Sequence, residues 1–310
     1  MKRASLIAAV VAAGLAPGHA SAAPARERPC FGAAARVASH PCRNPRLRLV
    51  VTPTPDEALL TPNLACEPYS LSDVLDVCEY GVTAENALER VAIAGDSHAG
   101  HWRPALDVVA AAKRWRIVEF YRSRCPFFMA TIDFEAPLPE QCLRRNRELL
   151  DWLGAHPEVR TLIVAGSARA PVLPPKGRTP AEARVRGFRD ALRALPASVE
   201  RVIVIRDLAT EAVETHDCVR RAIARRRPAG TRCALPRRRA LVPDAAVTVA
   251  RTLRTRGARV VDLTYQVCGR TRCFPVVGGV LVHKDLDHLT PQFATTLGPI
   301  LLRKLDALRW

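Results

Sequence analysis

The sequence predicts an α/β protein with one parallel, five-stranded sheet covered by helices on both faces. Short apolar runs fall at residues 90–94, 116–120, 159–165, 201–205 and 259–263. Stretches with helical periodicity occupy 102–113, 142–155, 181–195, 245–256 and 292–308 between and after them. Strict alternation of the two points to parallel strands joined by crossover helices, a three-layer arrangement. Five such strands suggest the flavodoxin-like order 2-1-3-4-5, with chemistry beyond the carboxyl ends of the strands.

The first strand, 90–94, is a short buried run that stops at Gly95 and turns through Asp96-Ser97-His98. Helix starts are marked at the other end of the domain by Asp244 and Pro291, residue types that favour first turns. Between residues 164 and 181 a proline-rich loop (Pro171, Pro174, Pro175, Pro180) can rim the carboxyl face. The segment 207–244 is long and basic, and reads as a decorated surface loop with a lid as the alternative. Residues 23–88 are rich in proline, cysteine and polar residues and show little periodicity, as expected of an irregular extension packed on the 89–310 domain.

With 48% hydrophobic residues over 310 positions, a full core is possible and wholesale disorder is excluded. The net charge of +17 is mostly arginine, scattered along the chain and not gathered in a tail. Only 5% of residues are aromatic, so the interleaved basic and aromatic surface of a nucleic-acid binder is missing and no nucleic-acid partner is expected.

The first 22 residues have the pattern of an export signal. Lys2 and Arg3 precede an apolar stretch from Leu6 to Ala16, and Ala20-Ser21-Ala22 fits a small-residue cleavage site. That stretch falls short of the roughly 20 apolar residues a membrane span needs. An exported, soluble protein of the periplasm, cell envelope or exterior is expected. The ten cysteines agree, since an even count in an oxidising compartment reads as a disulfide framework. Pairing sequence neighbours gives Cys30–Cys42, Cys66–Cys78, Cys125–Cys142, Cys218–Cys233 and Cys268–Cys273. No Cys-x-x-Cys pair occurs, which argues against zinc.

Two short motifs carry the chemistry. A serine hydroxyl is a weak nucleophile that needs a base to take its proton as it attacks. Ser97, on the strand-to-helix turn, is the candidate nucleophile, and its own N–H is a candidate oxyanion donor at a helix start. Far downstream, Asp285-Leu286-Asp287-His288 supplies His288 as base and Asp285 as its orienter. Asp287, adjacent to the histidine, is expected to point elsewhere. Asp96, His98, His101 and His283 form an alternative set of metal ligands, but His98 belongs to the nucleophile turn and is read as packing support. No metal and no organic cofactor are expected. Asp262 reads as structural, and Arg103 and Arg169 as surface groups able to meet an anionic or sugar substrate.

Gly95-Asp96-Ser97-His98 followed by Trp102-Arg103-Pro104-Ala105-Leu106 resembles the first block of the SGNH hydrolases. More narrowly, it is similar to the SGNH domain fused behind membrane O-acyltransferases of cell-surface polysaccharides. Ser123-Arg124-Cys125-Pro126 with Cys142 and Asp151-Trp152-Leu153 carries the same likeness. So do Val261-Asp262-Leu263-Thr264 with Cys268 and Cys273, and Asp285 to Thr290. The resemblance runs from about Cys66 to the C-terminus. It implies an α/β/α SGNH fold, a Ser97–His288–Asp285 triad and a serine esterase or O-acyltransferase working on esters, acetyl above all, of envelope glycans. The superfamily places an oxyanion glycine after the second strand and an asparagine after the third. This chain has Ser123-Arg124 and Gly166-Ser167-Ala168-Arg169 there, so backbone groups of Ser123 and Gly166 are the expected substitutes. Asn146 is expected on a helix and does not replace the asparagine. An acylated glycan is the expected substrate, a separately encoded membrane acyltransferase is the partner that transfer calls for, and a non-catalytic glycan-binding module of the same fold is the alternative.

Overall fold

The computed structural model describes residues 29–37, 42–61, 75, 77–253 and 257–308. Its centre is a six-stranded sheet built from β1 (Cys78–Gly81), β2 (Glu89–Gly95), β3 (Trp115–Tyr121), β4 (Thr161–Val164), β5 (Arg201–Ile205) and β6 (Ala258–Val261), in the order β1-β3-β2-β4-β5-β6. The last five are all parallel, in the 2-1-3-4-5 order that the sequence predicts. The expected five-stranded sheet is corrected at one edge. There β1 pairs antiparallel with β3, Tyr80 opposite Ile117. Only Tyr80 of its four residues is buried, Cys78 and Glu79 being half-buried and Gly81 exposed, so they lack the apolar run by which the other strands announce themselves.

Seven helices matter to the site: α1 (Ser97–Gly100), α2 (Arg103–Lys113), α3 (Leu138–Ala155), α4 (Pro180–Arg193), α5 (Thr215–Ala224), α6 (Ala245–Thr252) and α7 (Pro291–Asp306). Each central strand sends alternate residues to opposite faces, which is why these runs are apolar throughout. Val91 and Ile93 join Ile117, Ile163 and Ile203 against Leu106 and Val109 of α2 and Phe293 and Leu297 of α7. Ala92 and Ala94 face the other way, with Val118, Leu162 and Val204 against Leu149 of α3, Phe188 of α4 and Val249 of α6. Ile93 is fully buried, and its truncation to alanine costs about 2–5 kcal/mol. On the first face α2 and α7 lie in direct contact; a Cβ on Gly298 would come 2.6 Å from Val108 Cβ, so only glycine permits that approach.

Four of the expected disulfides are formed: Cys30–Cys42, Cys125–Cys142, Cys218–Cys233 and Cys268–Cys273. The expected Cys66–Cys78 bridge lies outside the described residues because Cys66 does, as does the export-signal segment 1–22. The N-terminal part that is described lies on α7 and the loop before it: the Ala33 N–H donates to Thr296 Oγ1 at 3.0 Å, and the Thr52 N–H to the Gly279 carbonyl at 2.9 Å. The basic segment after β5 folds as α5 and short helical turns, closed by Cys218–Cys233. It is tied to the histidine loop by the Glu211 N–H, which donates to the Leu286 carbonyl at 2.7 Å. No helix among the described residues is long and apolar enough to cross a membrane.

Candidate active site

Four strand ends, those of β2, β3, β4 and β5, and one loop converge at the carboxyl side of the sheet. At the first, β2 stops at Gly95, where a Cβ would sit 1.7 Å from the Ala165 carbonyl oxygen; glycine is required for β2 to close against the segment after β4. Asp96 then caps α1, accepting the His98 N–H at 2.9 Å, and Ser97 is the first helical residue. The same Asp96 carboxylate accepts the Ser167 N–H, at 3.0 Å to Oδ2, so it joins the nucleophile turn to the loop after β4. Burial raises the Asp96 pKa against the opposing pull of His98 and these N–H donors.

The loop 283–290 brings the histidine. Asp285 Oδ1 accepts the N–H groups of Asp287 (3.0 Å) and His288 (2.8 Å), folding the backbone so that His288 Nδ1 lies 2.9 Å from Asp285 Oδ2. Burial works to raise the Asp285 pKa, but the His288 ring and the two N–H donors outweigh it and hold the carboxyl well below the ordinary range. Thr290 closes the loop by capping α7: its Oγ1 accepts the Phe293 N–H at 3.1 Å and donates to the Leu281 carbonyl at 2.6 Å. His288 Nε2, the nitrogen a base would use, is buried and has no hydrogen-bond partner among the described residues. The nucleophile turn lies alongside: the His98 and His288 ring centroids are 5.2 Å apart, and the Leu289 N–H donates to His101 Nδ1 at 3.5 Å. No hydrogen bond joins Ser97 to His288 Nε2; such contacts commonly tighten only when substrate is bound.

A second histidine–carboxylate pair stands behind the first, and sequence reasoning missed its acid. His98 Nδ1 lies 2.8 Å from Asp207 Oδ1, both side chains buried. Asp207, just past β5, also accepts the N–H groups of Ala168 (2.8 Å) and Leu208 (3.0 Å), and its own N–H donates to Asp244 Oδ2 at 3.0 Å. Burial disfavours the charged His98 ring, yet Asp207, with Asp287 and Asp96 behind it, raises its pKa well above the usual histidine value. The available signal was an acid two positions past an apolar strand, at the end where this sheet places its chemistry.

Asp287 corrects a second expectation. It does not point elsewhere: Oδ1 lies 3.2 Å from His288 Nδ1 and Oδ2 3.6 Å from His98 Nε2. The contact with His98 lowers its pKa. His98, Asp287 and His288 are the only group among the described residues that offers three metal-ligand atoms, all within 4.8 Å of one another. Within this grouping the carboxylates on either side of His98, Asp207 and Asp287, favour the protonated form of its ring. Of the other ligand candidates, His101 is buried, and burial together with the neighbouring His98, His288 and His283 pushes its pKa well down, while His283 Nδ1 lies 3.2 Å from Glu211 Oε1.

The expected oxyanion groups fall around this turn. Among the described residues, the N–H groups of Ser97, Ser123 and Gly166 donate to no protein acceptor, whereas those of Ser167 and Ala168 are taken by Asp96 and Asp207. The Ser123 loop is fixed from below. The Arg122 N–H reaches the Gly95 carbonyl at 3.3 Å, Cys125–Cys142 ties the loop to α3, and Asn146 Nδ2 donates to the Pro126 and Phe128 carbonyls, both at 2.9 Å. Asn146 is thus a buried loop anchor on a helix. Asp262 is structural, accepting the Thr264 N–H at 2.9 Å and facing Arg206. Arg103 faces buried Glu119, whose pKa burial lifts to about 7, and Arg169 donates to the Arg239 carbonyl.

A serine at a strand-to-helix turn, an Asp-x-x-His loop before the last helix and a parallel 2-1-3-4-5 sheet define an α/β/α protein of SGNH type. The family model described as "SGNH domain (fused to AT3 domains)" matches residues 65–303, and the chain belongs to that family, one of hydrolase and acyltransferase modules. Among solved structures, the periplasmic domain of a lipopolysaccharide acetyltransferase from Salmonella ser. Paratyphi A has the same fold. It is 12% identical with a TM-score of 0.52, over 73% of this chain and 90% of that one. No curated protein matches the sequence.

Proposed function

We propose that the protein is an exported serine esterase or O-acyltransferase acting on ester groups, acetyl foremost, of cell-envelope glycans. The observation that carries this reading is the His288 ring, oriented through Nδ1 by Asp285 and presenting beside the Ser97 turn a buried Nε2 with no partner among the described residues. In the proposed reaction Ser97 Oγ attacks the acyl carbonyl while His288 Nε2 takes its proton, and Asp285 stabilises the imidazolium that forms. The oxyanion is received by the N–H groups of Ser97, Ser123 and Gly166. Collapse breaks the ester bond, and His288 returns the proton to the departing sugar oxygen. Water then hydrolyses the acyl-serine, or a glycan hydroxyl accepts the acyl group. Transfer calls for a membrane acyltransferase as acyl donor, a partner suggested by the fusion after which the family is described.

A non-catalytic glycan-binding module is the second reading. It is favoured by the loop after β4, which has no asparagine and whose Ser167 and Ala168 N–H groups are occupied. Fluorophosphonate labelling and p-nitrophenyl acetate turnover separate the two. Wild type is expected to label and turn over, and Ser97→Ala to lose both, with kcat falling by about 10³-fold or more. Equal background rates in the two proteins would overturn the enzymatic reading.

A further inference from the structure

We propose that His98 and Asp207 form a positioning pair that acts on His288 through Asp287, offsetting the negative charge which that carboxylate brings to the His288 ring. This rests on the reading of His288 as the base. Asp287 bridges the two histidines, with Oδ1 3.2 Å from His288 Nδ1 and Oδ2 3.6 Å from His98 Nε2. Two carboxylates, Asp285 and Asp287, therefore face one nitrogen of His288. Unbalanced, they favour its protonated form and so a base that is already occupied. His98 answers that charge. Its other nitrogen is held by Asp207 at 2.8 Å, so Nε2 is directed at Asp287. The groups facing His98 are Asp96, Asp207, Asp287, His101 and His288; those facing His288 are Asp285, Asp287, His98 and His101.

The same pair ties three parts of the site together. His98 is the residue after Ser97, Asp207 accepts the Ala168 N–H, and Asp287 belongs to the histidine loop. Neither His98 nor Asp207 is assigned contact with the reacting atoms; both act through Asp287.

Opposite signs test the proposal. Removing the His98 charge in His98→Gln leaves Asp287 uncompensated, so protonation of His288 becomes easier. Removing Asp287 in Asp287→Asn leaves the His98 charge alone, so it becomes harder. Charges this close, in a partly buried setting, interact strongly enough to move a titration by about one pH unit. NMR titration of the His288 ring, which needs no activity, is expected to show its midpoint raised in His98→Gln and lowered in Asp287→Asn. The double variant His98→Gln/Asp287→Asn returns it to within about 0.3 unit of wild type. The acid limb of kcat/KM moves in the same directions. Shifts of the same sign in the two single variants, or no shift in either, would overturn the proposal. Should His98→Gln fail to fold, as judged by circular dichroism, His98→Asn, which also removes the charge, takes its place, and the His288 midpoint must again rise there while it falls in Asp287→Asn. A protein in which Ser97→Ala changes no rate would sink the enzymatic reading while leaving these ring titrations to judge the charge pair.

Discussion

The two histidine–aspartate pairs of this protein are built in opposite ways. Asp285 and His288 are three residues apart in one loop, partly exposed, and held by a backbone turn that the aspartate itself nucleates. Asp207 and His98 are 109 residues apart, buried, and brought together only because β2 and β5 end on the same side of the sheet. The first pair leaves its histidine with an Nε2 that has no partner among the described residues. In the second, the outer nitrogen faces another carboxylate. The difference separates a local device that can present a reactive group from a tertiary device that fixes where charge and backbone sit.

The largest effect expected from breaking this contrast is on rate. Asp285→Asn, which withdraws the acceptor from His288 Nδ1, is expected to lower kcat by about 10³–10⁴-fold with little loss of fold. Asp207→Asn is expected to act chiefly on stability, since breaking a buried ion pair costs about 3–5 kcal/mol, and to lower kcat by only about tenfold. Steady-state kinetics and urea unfolding of the same two variants measure both. Comparable rate losses in the two would erase the distinction.

The pairs also respond to pH at opposite ends. Asp285 has its pKa depressed in the folded protein, so its stabilisation is present above the unfolded aspartate value of about 3.9 and is lost as pH falls through the folded one. His98 has its pKa raised, so its stabilisation is complete below the unfolded value of about 6.5 and is lost as pH rises through the folded one. Melting temperatures across pH 3–10 are therefore expected to show the gap between wild type and His98→Gln closing on the alkaline side. The gap to Asp285→Asn begins to narrow at the acid end, below about pH 4. Parallel curves for the two variants would show that His98 is not held charged by the fold.

The smallest expected effect is none at all. Both histidines give one ring nitrogen to a carboxylate, an arrangement that metal-bound histidines share. If proton transfer by His288 is the chemistry, EDTA treatment leaves fluorophosphonate labelling and melting temperature unchanged. Loss of labelling restored by zinc would recast His98, Asp287 and His288 as ligands.

Much of this was legible without coordinates. Buried apolar runs alternating with helical periods specify five parallel strands, and the flavodoxin-like order that five such strands suggest is the one formed. The Gly95-Asp96-Ser97 turn and Asp285-x-x-His288 are readable because each depends on hydrogen bonds spanning two or three residues, which spacing encodes. Neighbour pairing of cysteines reads correctly at the four bridges described for the same reason: short loops close most readily. β1 was not legible, because a half-buried edge strand of four residues has no period to detect. Nor was Asp207, an ordinary acid after a strand until β5 is set beside β4 and its carboxylate reaches His98 and the Ala168 N–H. Asp287 was misread for a related reason: adjacency in sequence puts it beside His288 but says nothing of His98 on the facing turn.

The sequence by itself determined the five parallel strands, the serine turn and the local Asp–His pair, since those depend on periodicity and short-range hydrogen bonding that a single stretch of chain carries. Tertiary structure alone decided that His98 is buried with its pKa raised, that Asp207 is its partner and that Asp287 faces two histidines. Desolvation and charge are properties of what surrounds a side chain, and the charges around His98 come from three segments spread across nearly two hundred residues.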